Sequence, residues 1–106
     1  MKDLKEAIMN YLKSDDAQPS EELLRRISAE AGDFVEDVEP DESFVRVELP
    51  PTNVGEIFIQ KDFAAYAEKI DKICDLIYEE DDSFAGFEYF STVCHIIGCK
   101  WQMTWL

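Results

Sequence analysis

The spacing of apolar residues switches along this chain between a helical and a strand period, and this switching restricts the fold more than any other feature. Apolar side chains recur every three or four positions in some segments and alternate with polar ones in others. The pattern predicts helices at about 2–13, from Ser20 to Gly32, and at about 63–80 and 84–97, with a β-hairpin at about 44–60 and a C-terminal strand at about 99–105. Helices on both sides of a hairpin predict an α+β fold, in which a small, mainly antiparallel sheet packs with about four helices.

Four residues with capping chemistry set the expected helix ends. The Ser20 hydroxyl and the Asp62 carboxylate can each accept a hydrogen bond from the exposed amides of a first helical turn, so each is expected to begin a helix. Glycine adopts left-handed backbone without steric cost, so Gly32 and Gly98 are expected to end helices.

The length and the apolar content predict one folded domain. A chain of 106 residues is long enough for one domain and too short for two. Because 46% of its residues are hydrophobic and 12% are aromatic, the chain can bury a core despite its charge. Residues 1–106 are therefore predicted to form a single acidic α+β domain. Trp101 and Trp105 lie on the apolar face of the last strand, so most of this aromatic surface is expected in the core.

The sequence favours a reducing compartment. No run approaches the roughly 18 apolar residues that a membrane-spanning helix needs, and the first residues lack the apolar core of a signal peptide. Three cysteines are an odd number, which argues against a disulfide framework. We therefore expect a cytoplasmic protein.

The net charge restricts the partners. With 24 acidic against 10 basic residues, the formal charge is −14. Direct binding to nucleic acid or to an anionic membrane is disfavoured, because both require a basic surface. A basic protein is the favoured partner, and self-repulsion favours a monomer, although an unpaired strand edge would allow a homodimer.

The residues with reactive side chains do not form a recognisable catalytic motif. Cys74, Cys94, His95 and Cys99 carry the atoms of a zinc site, but Cys94 and His95 are adjacent and diverge by about 100° on a helix. Both Cys74 and Cys94 fit the apolar stripes of their helices, as buried thiols do. We therefore predict no cofactor, no metal and no enzymatic activity, with an enzyme or metal protein as the lesser alternative.

Two groups of acidic residues are the candidate binding residues. The first lies in a segment without basic residues and comprises Asp33, Glu36, Asp37, Glu39, Asp41 and Glu42. The second follows one face of the third predicted helix and comprises Glu68, Asp71, Asp75, Glu79 and Asp82. Neighbouring carboxylates would lie about 6.6 Å apart on an extended segment and about 5–6 Å apart on a helix face. Rows at this pitch resemble the phosphates of a nucleic-acid strand.

These features lead to two functional hypotheses. The first is a non-catalytic inhibitor whose acidic rows occupy the basic groove of a nuclease or another nucleic-acid-binding protein. The alternative is a toxin-immunity or adaptor protein that binds through an aromatic patch around Trp101 and Trp105. In size and composition, the chain resembles phage-encoded inhibitors of bacterial defence nucleases, including anti-CRISPR and anti-restriction proteins, and immunity proteins that neutralise nuclease toxins. No motif carries this resemblance, so it assigns no residue a role.

Overall fold

The protein is an α+β fold of five helices and a three-stranded antiparallel sheet within the residues that the structure describes. The computed structural model describes residues 3–32, 34, 39, 41–47, 55–83 and 86–105. The elements are α1 (Leu4–Lys13), α2 (Glu21–Ala29), β1 (Phe44–Val47), β2 (Gly55–Gln60), α3 (Lys61–Ala64), α4 (Ala67–Glu80), α5 (Gly86–Ile97) and β3 (Trp101–Trp105). The predicted hairpin, final strand and fold class are confirmed.

The first two helices begin at side-chain caps. The Asp3 carboxylate accepts from the Glu6 amide at 2.7 Å, and the Ser20 hydroxyl accepts from the Leu23 amide at 3.2 Å. Each bond satisfies an amide that has no partner inside the helix. The predicted Ser20 cap is confirmed.

The sheet has β2 at its centre, with β1 and β3 as its neighbours. Val45 lies opposite Ile59, and Ile59 lies opposite Trp101, so these side chains share one face. Ile59 and Trp101 are buried, and the Trp101 ring meets the Phe90 ring of α5 edge-on at 5.0 Å. The helices therefore cover this face of the sheet.

A single hydrophobic cluster joins the sheet to the helices. Its members on α1, α2 and α4 repeat at helical spacing, and α4 and α5 pack against each other. Ile8, Ile27, Ile70, Ile73 and Val93 are fully buried in this cluster. None of the helices in the described ranges is long and apolar enough to cross a bilayer.

Two predicted helix boundaries are wrong. The helix expected at 63–80 is interrupted at Ala65 and Tyr66, and Asp62 lies inside α3 without a side-chain capping bond. Gly32 does not end α2, which stops at Ala29. Instead, the Gly32 amide donates to the Thr92 hydroxyl at 3.2 Å, which attaches the chain to α5. The predicted end of α5 is confirmed, since Gly98 has a φ of 76°.

Candidate protein-binding surface

The outer side of α4 carries a row of carboxylates, which we call the acidic face. Ala67, Ile70, Ile73, Cys74 and Ile77 are buried on the inner side of the helix. Glu68, Asp71, Asp75 and Glu79 form the acidic face, and all but the half-buried Asp71 are exposed. Because they are spaced by three or four residues, the Cβ atoms of neighbouring members lie about 5–6 Å apart. Four of the five predicted α4 positions therefore share one surface.

Asp82 does not continue this row. The helix ends at Glu80, and Asp81 has extended backbone with φ −144° and ψ 100°. The Asp81 carboxylate accepts from the Ser83 amide at 3.1 Å and from the Ser83 hydroxyl at 2.5 Å. These bonds turn the chain and lower the pKa of Asp81. Asp82 is thus an exposed residue of the turn between α4 and α5.

The half-buried Asp71 has the most perturbed carboxyl on the acidic face. Burial raises its pKa to about 6, and the charge of Asp75 adds to this effect. Burial also raises the pKa of Asp75, as does Glu79, whereas Lys72 lowers it. Desolvation and like charge both disfavour ionised carboxylates. A positive group brought to this face would therefore relieve an existing electrostatic cost.

An exposed aromatic side chain adjoins these carboxylates. Tyr78 is 47% exposed, the most conspicuous large hydrophobic side chain on the described surface. It lies three residues after Asp75 and seven after Asp71, so the three side chains project from neighbouring positions on α4. Exposed tyrosines frequently anchor protein interfaces. Tyr78 was not among the predicted binding residues, because it follows the buried Cys74 by four positions and its sequence context therefore suggests a core residue.

The other predicted acidic group is only partly described. Asp33, Glu36 and Asp37 lie outside the described residues. Glu39, Asp41 and Glu42 are exposed. The Asp41 carboxylate accepts from the Ser43 hydroxyl at 2.5 Å and from the Ser43 amide at 2.8 Å, and these bonds lower its pKa. Asp41 therefore shapes the turn before β1, and α4 supplies the better-defined candidate surface.

The tryptophan and the cysteines contribute to the core. Trp101 is 6% exposed, so it does not form a surface patch; the side chain of Trp105 lies outside the description. Cys74, Cys94 and Cys99 are buried free thiols. His95 is exposed and stacks on Phe34, with ring centroids 4.2 Å apart. Across the described ranges, histidine, cysteine and acidic side chains form no group of three suited to a metal ion.

Comparison with known proteins gives no relative. No family model matches the chain. No curated protein and no solved structure matches it significantly.

Proposed function

We propose that this protein is a non-catalytic inhibitor that binds a basic, nucleic-acid-binding protein through the acidic face of α4. The partner is a nuclease or a similar protein, and the inhibitor acts in the cytoplasm as a monomer. Its mode of action is that of phage anti-defence proteins, such as anti-CRISPR and anti-restriction proteins, which mimic DNA.

The observation that carries the proposal is the position of Asp71. This carboxyl is half-buried beside Asp75, and its pKa of about 6 means that ionisation opposes folding. A lysine or arginine of a partner would offset this cost and add charge-assisted hydrogen bonds. A half-buried carboxylate beside a second one lowers the folding stability of the free protein, and it favours binding when a partner supplies a cation.

The overall charge supports the same kind of partner. A net charge of −14 accelerates encounter with a basic surface and repels nucleic acid. Occupying a nucleic-acid groove displaces its bound anions, so binding is expected to weaken steeply with salt. Tyr78 would supply the apolar contact that electrostatics alone does not provide.

Affinity capture from a bacterial lysate tests the proposal if it is run with two matched variants. The face variant carries Glu68→Gln, Asp71→Asn, Asp75→Asn and Glu79→Gln. The control variant removes the same number of charges from the exposed positions Glu6, Glu21, Glu22 and Glu30 by changing each to Gln. Mass spectrometry should find a nucleic-acid-binding protein retained by the original chain and the control, but lost with the face variant and at high salt.

The alternative function predicts a different result. A toxin-immunity or adaptor protein that binds through an aromatic patch would retain its partner at high salt. Trp101 is buried, and the large aromatic side chain exposed among those that the structure describes is Tyr78. This alternative would be favoured if the partner stayed bound at high salt, was lost with Tyr78→Ala and was retained by the face variant.

A further inference from the structure

A second candidate site lies between the end of α1 and the start of α2. The cleft has a volume of about 400 Å³, within the size range of small-ligand pockets. Its lining combines apolar residues, Ala7, Pro19 and Leu23, with polar ones, Asn10, Asp16 and Gln18. An amphipathic group with an apolar stem and a polar end would match this mixed lining.

One buried polar group in the cleft has no partner. Tyr11 lines the cleft and is 7% exposed, yet its hydroxyl makes no hydrogen bond. Leaving a buried hydroxyl unpaired costs free energy, so a group that satisfies it is favoured. Burial raises the pKa of Tyr11, and the charge of Asp16, which also lines the cleft, raises it further.

The other polar groups around Tyr11 are already occupied. The ammonium of Lys69 lies 4.6 Å from the centre of the Tyr11 ring. It donates to the Tyr11 carbonyl at 2.9 Å and also to the Ser14 carbonyl. Ser14 also donates its hydroxyl to the Tyr11 carbonyl at 2.7 Å. The positive charge of Lys69 is thus engaged by the carbonyl oxygens at the end of α1.

We propose that this cleft receives the side chain of an arginine from the basic partner, with its guanidinium between Asp16 and the Tyr11 hydroxyl. The stem would pack on Pro19 and Leu23. The five N–H donors of a guanidinium match the acceptors of the Asp16 carboxylate, the Tyr11 oxygen and the amide oxygens of Asn10 and Gln18. An anionic ligand would meet the Asp16 charge, and the nearby Lys69 ammonium is already engaged by two carbonyl oxygens.

Access to the hydroxyl requires a local rearrangement. The hydroxyl oxygen is covered in the free protein. Asp16 and Gln18 line the same cleft and are exposed, so their side chains can reorient toward an incoming guanidinium. The proposal extends the proposed function, because it assumes a basic protein partner and adds a second contact outside α4.

The test titrates the isolated protein with N-acetyl-arginine methylamide and follows its amide signals by NMR. We expect shifts centred on residues 10–20, and about tenfold weaker binding after Asp16→Asn or Tyr11→Phe. Asp15→Asn is the charge-matched control, since Asp15 does not line the cleft. Thermal unfolding of Tyr11→Phe should be unchanged or shifted upward, because the substitution removes an unpaired hydroxyl; weaker binding would then not reflect unfolding.

Two further probes distinguish the ligand class. N-acetyl-citrulline methylamide has nearly the same shape without the charge and should bind much more weakly; equal binding would overturn the proposal of a guanidinium site. Free L-arginine should bind no better than the blocked compound; much tighter binding would indicate a free amino-acid ligand. If no amide signals of residues 10–20 shift, the proposed arginine site is rejected. The α4 proposal would stand, because capture with the face variant tests it separately.

Discussion

The Cys99 amide donates a hydrogen bond to the Cys94 carbonyl at 2.9 Å across the end of α5. The Gly98 amide donates to the His95 carbonyl at 3.3 Å, which completes a Schellman motif with Gly98 in the left-handed position. In this motif the residues at the Cys94 and Cys99 positions commonly make an apolar contact. The motif therefore buries both thiols and directs the chain into β3.

Gly98→Ala should destabilise the protein by about 1 kcal/mol, because an alanine at a φ of 76° is strained. A Cβ at this position would meet no atom within 4 Å, so the cost is one of backbone conformation. Urea unfolding measures it. Gly32→Ala is the control, since Gly32 lacks a positive φ; equal losses at both glycines would contradict the account.

The buried thiols should be unreactive in the folded protein. Burial raises the pKa of Cys74 and Cys94 well above the ordinary value, and a hydrogen bond with Cys99 raises that of Cys94 further. Because the thiolate is the nucleophile, a disulfide reagent such as DTNB should react only as the protein unfolds. All three cysteines should react at once in denaturant. Fast labelling of Cys94 under native conditions would refute this burial.

Asp71→Asn should stabilise the protein at pH 7 by about 1 kcal/mol, with allowance for solvent screening of a half-buried group. The pKa of Asp71 is about 6 in the folded state against an ordinary 3.8. Between these values the unfolded chain loses its proton first, so stability falls as pH rises from about 4 to about 6. The gain from asparagine should therefore be present above pH 6 and vanish below pH 4.

Chemical denaturation of both proteins across this pH range measures the effect. Glu68→Gln, at an exposed position of the same face, is the control and should change stability little. A stabilisation by Asp71→Asn that does not vary with pH would show that ionisation of this carboxyl is not its source.

Trp101→Ala should remove a large part of the folding free energy, about 3–5 kcal/mol, since the ring is buried against Phe90. Tyr78→Ala should cost far less, about 0.5–1 kcal/mol, because Tyr78 is 47% exposed. Circular dichroism during thermal unfolding separates the two. If Trp101→Ala melted like the original protein, the place of Trp101 in the core would be wrong.

The periodicity of apolar residues was sufficient to predict most of the elements, because burial imposes it locally. It predicted the hairpin and the final strand, in which inward-facing residues such as Ile57, Ile59 and Trp101 alternate with outward-facing ones. It could not reveal the break between α3 and α4. The apolar stripe runs through Phe63 and Ala67 without a glycine or proline, so no residue in the sequence marks the interruption.

Features that depend on distant residues were not predictable. Gly32 has the local signature of a helix end, but its partner Thr92 lies 60 residues away in the sequence. The spacing of acidic residues in the sequence predicted the acidic row on α4. Which of these carboxyl groups is half-buried depends on how α4 packs against the rest of the protein. Asp71 and Tyr78 differ in exposure from what their residue types suggest, and only the packed structure shows this.

The central claim is that this protein and nucleic acid compete for one surface. The most direct test uses the nucleic-acid-binding protein recovered by capture, bound to fluorescently labelled DNA, and follows DNA anisotropy as this protein is added. The account predicts that DNA is released as the protein binds, and that the variant with Glu68, Asp71, Asp75 and Glu79 neutralised releases far less. A stable ternary complex, in which the protein binds while DNA stays bound, would contradict it.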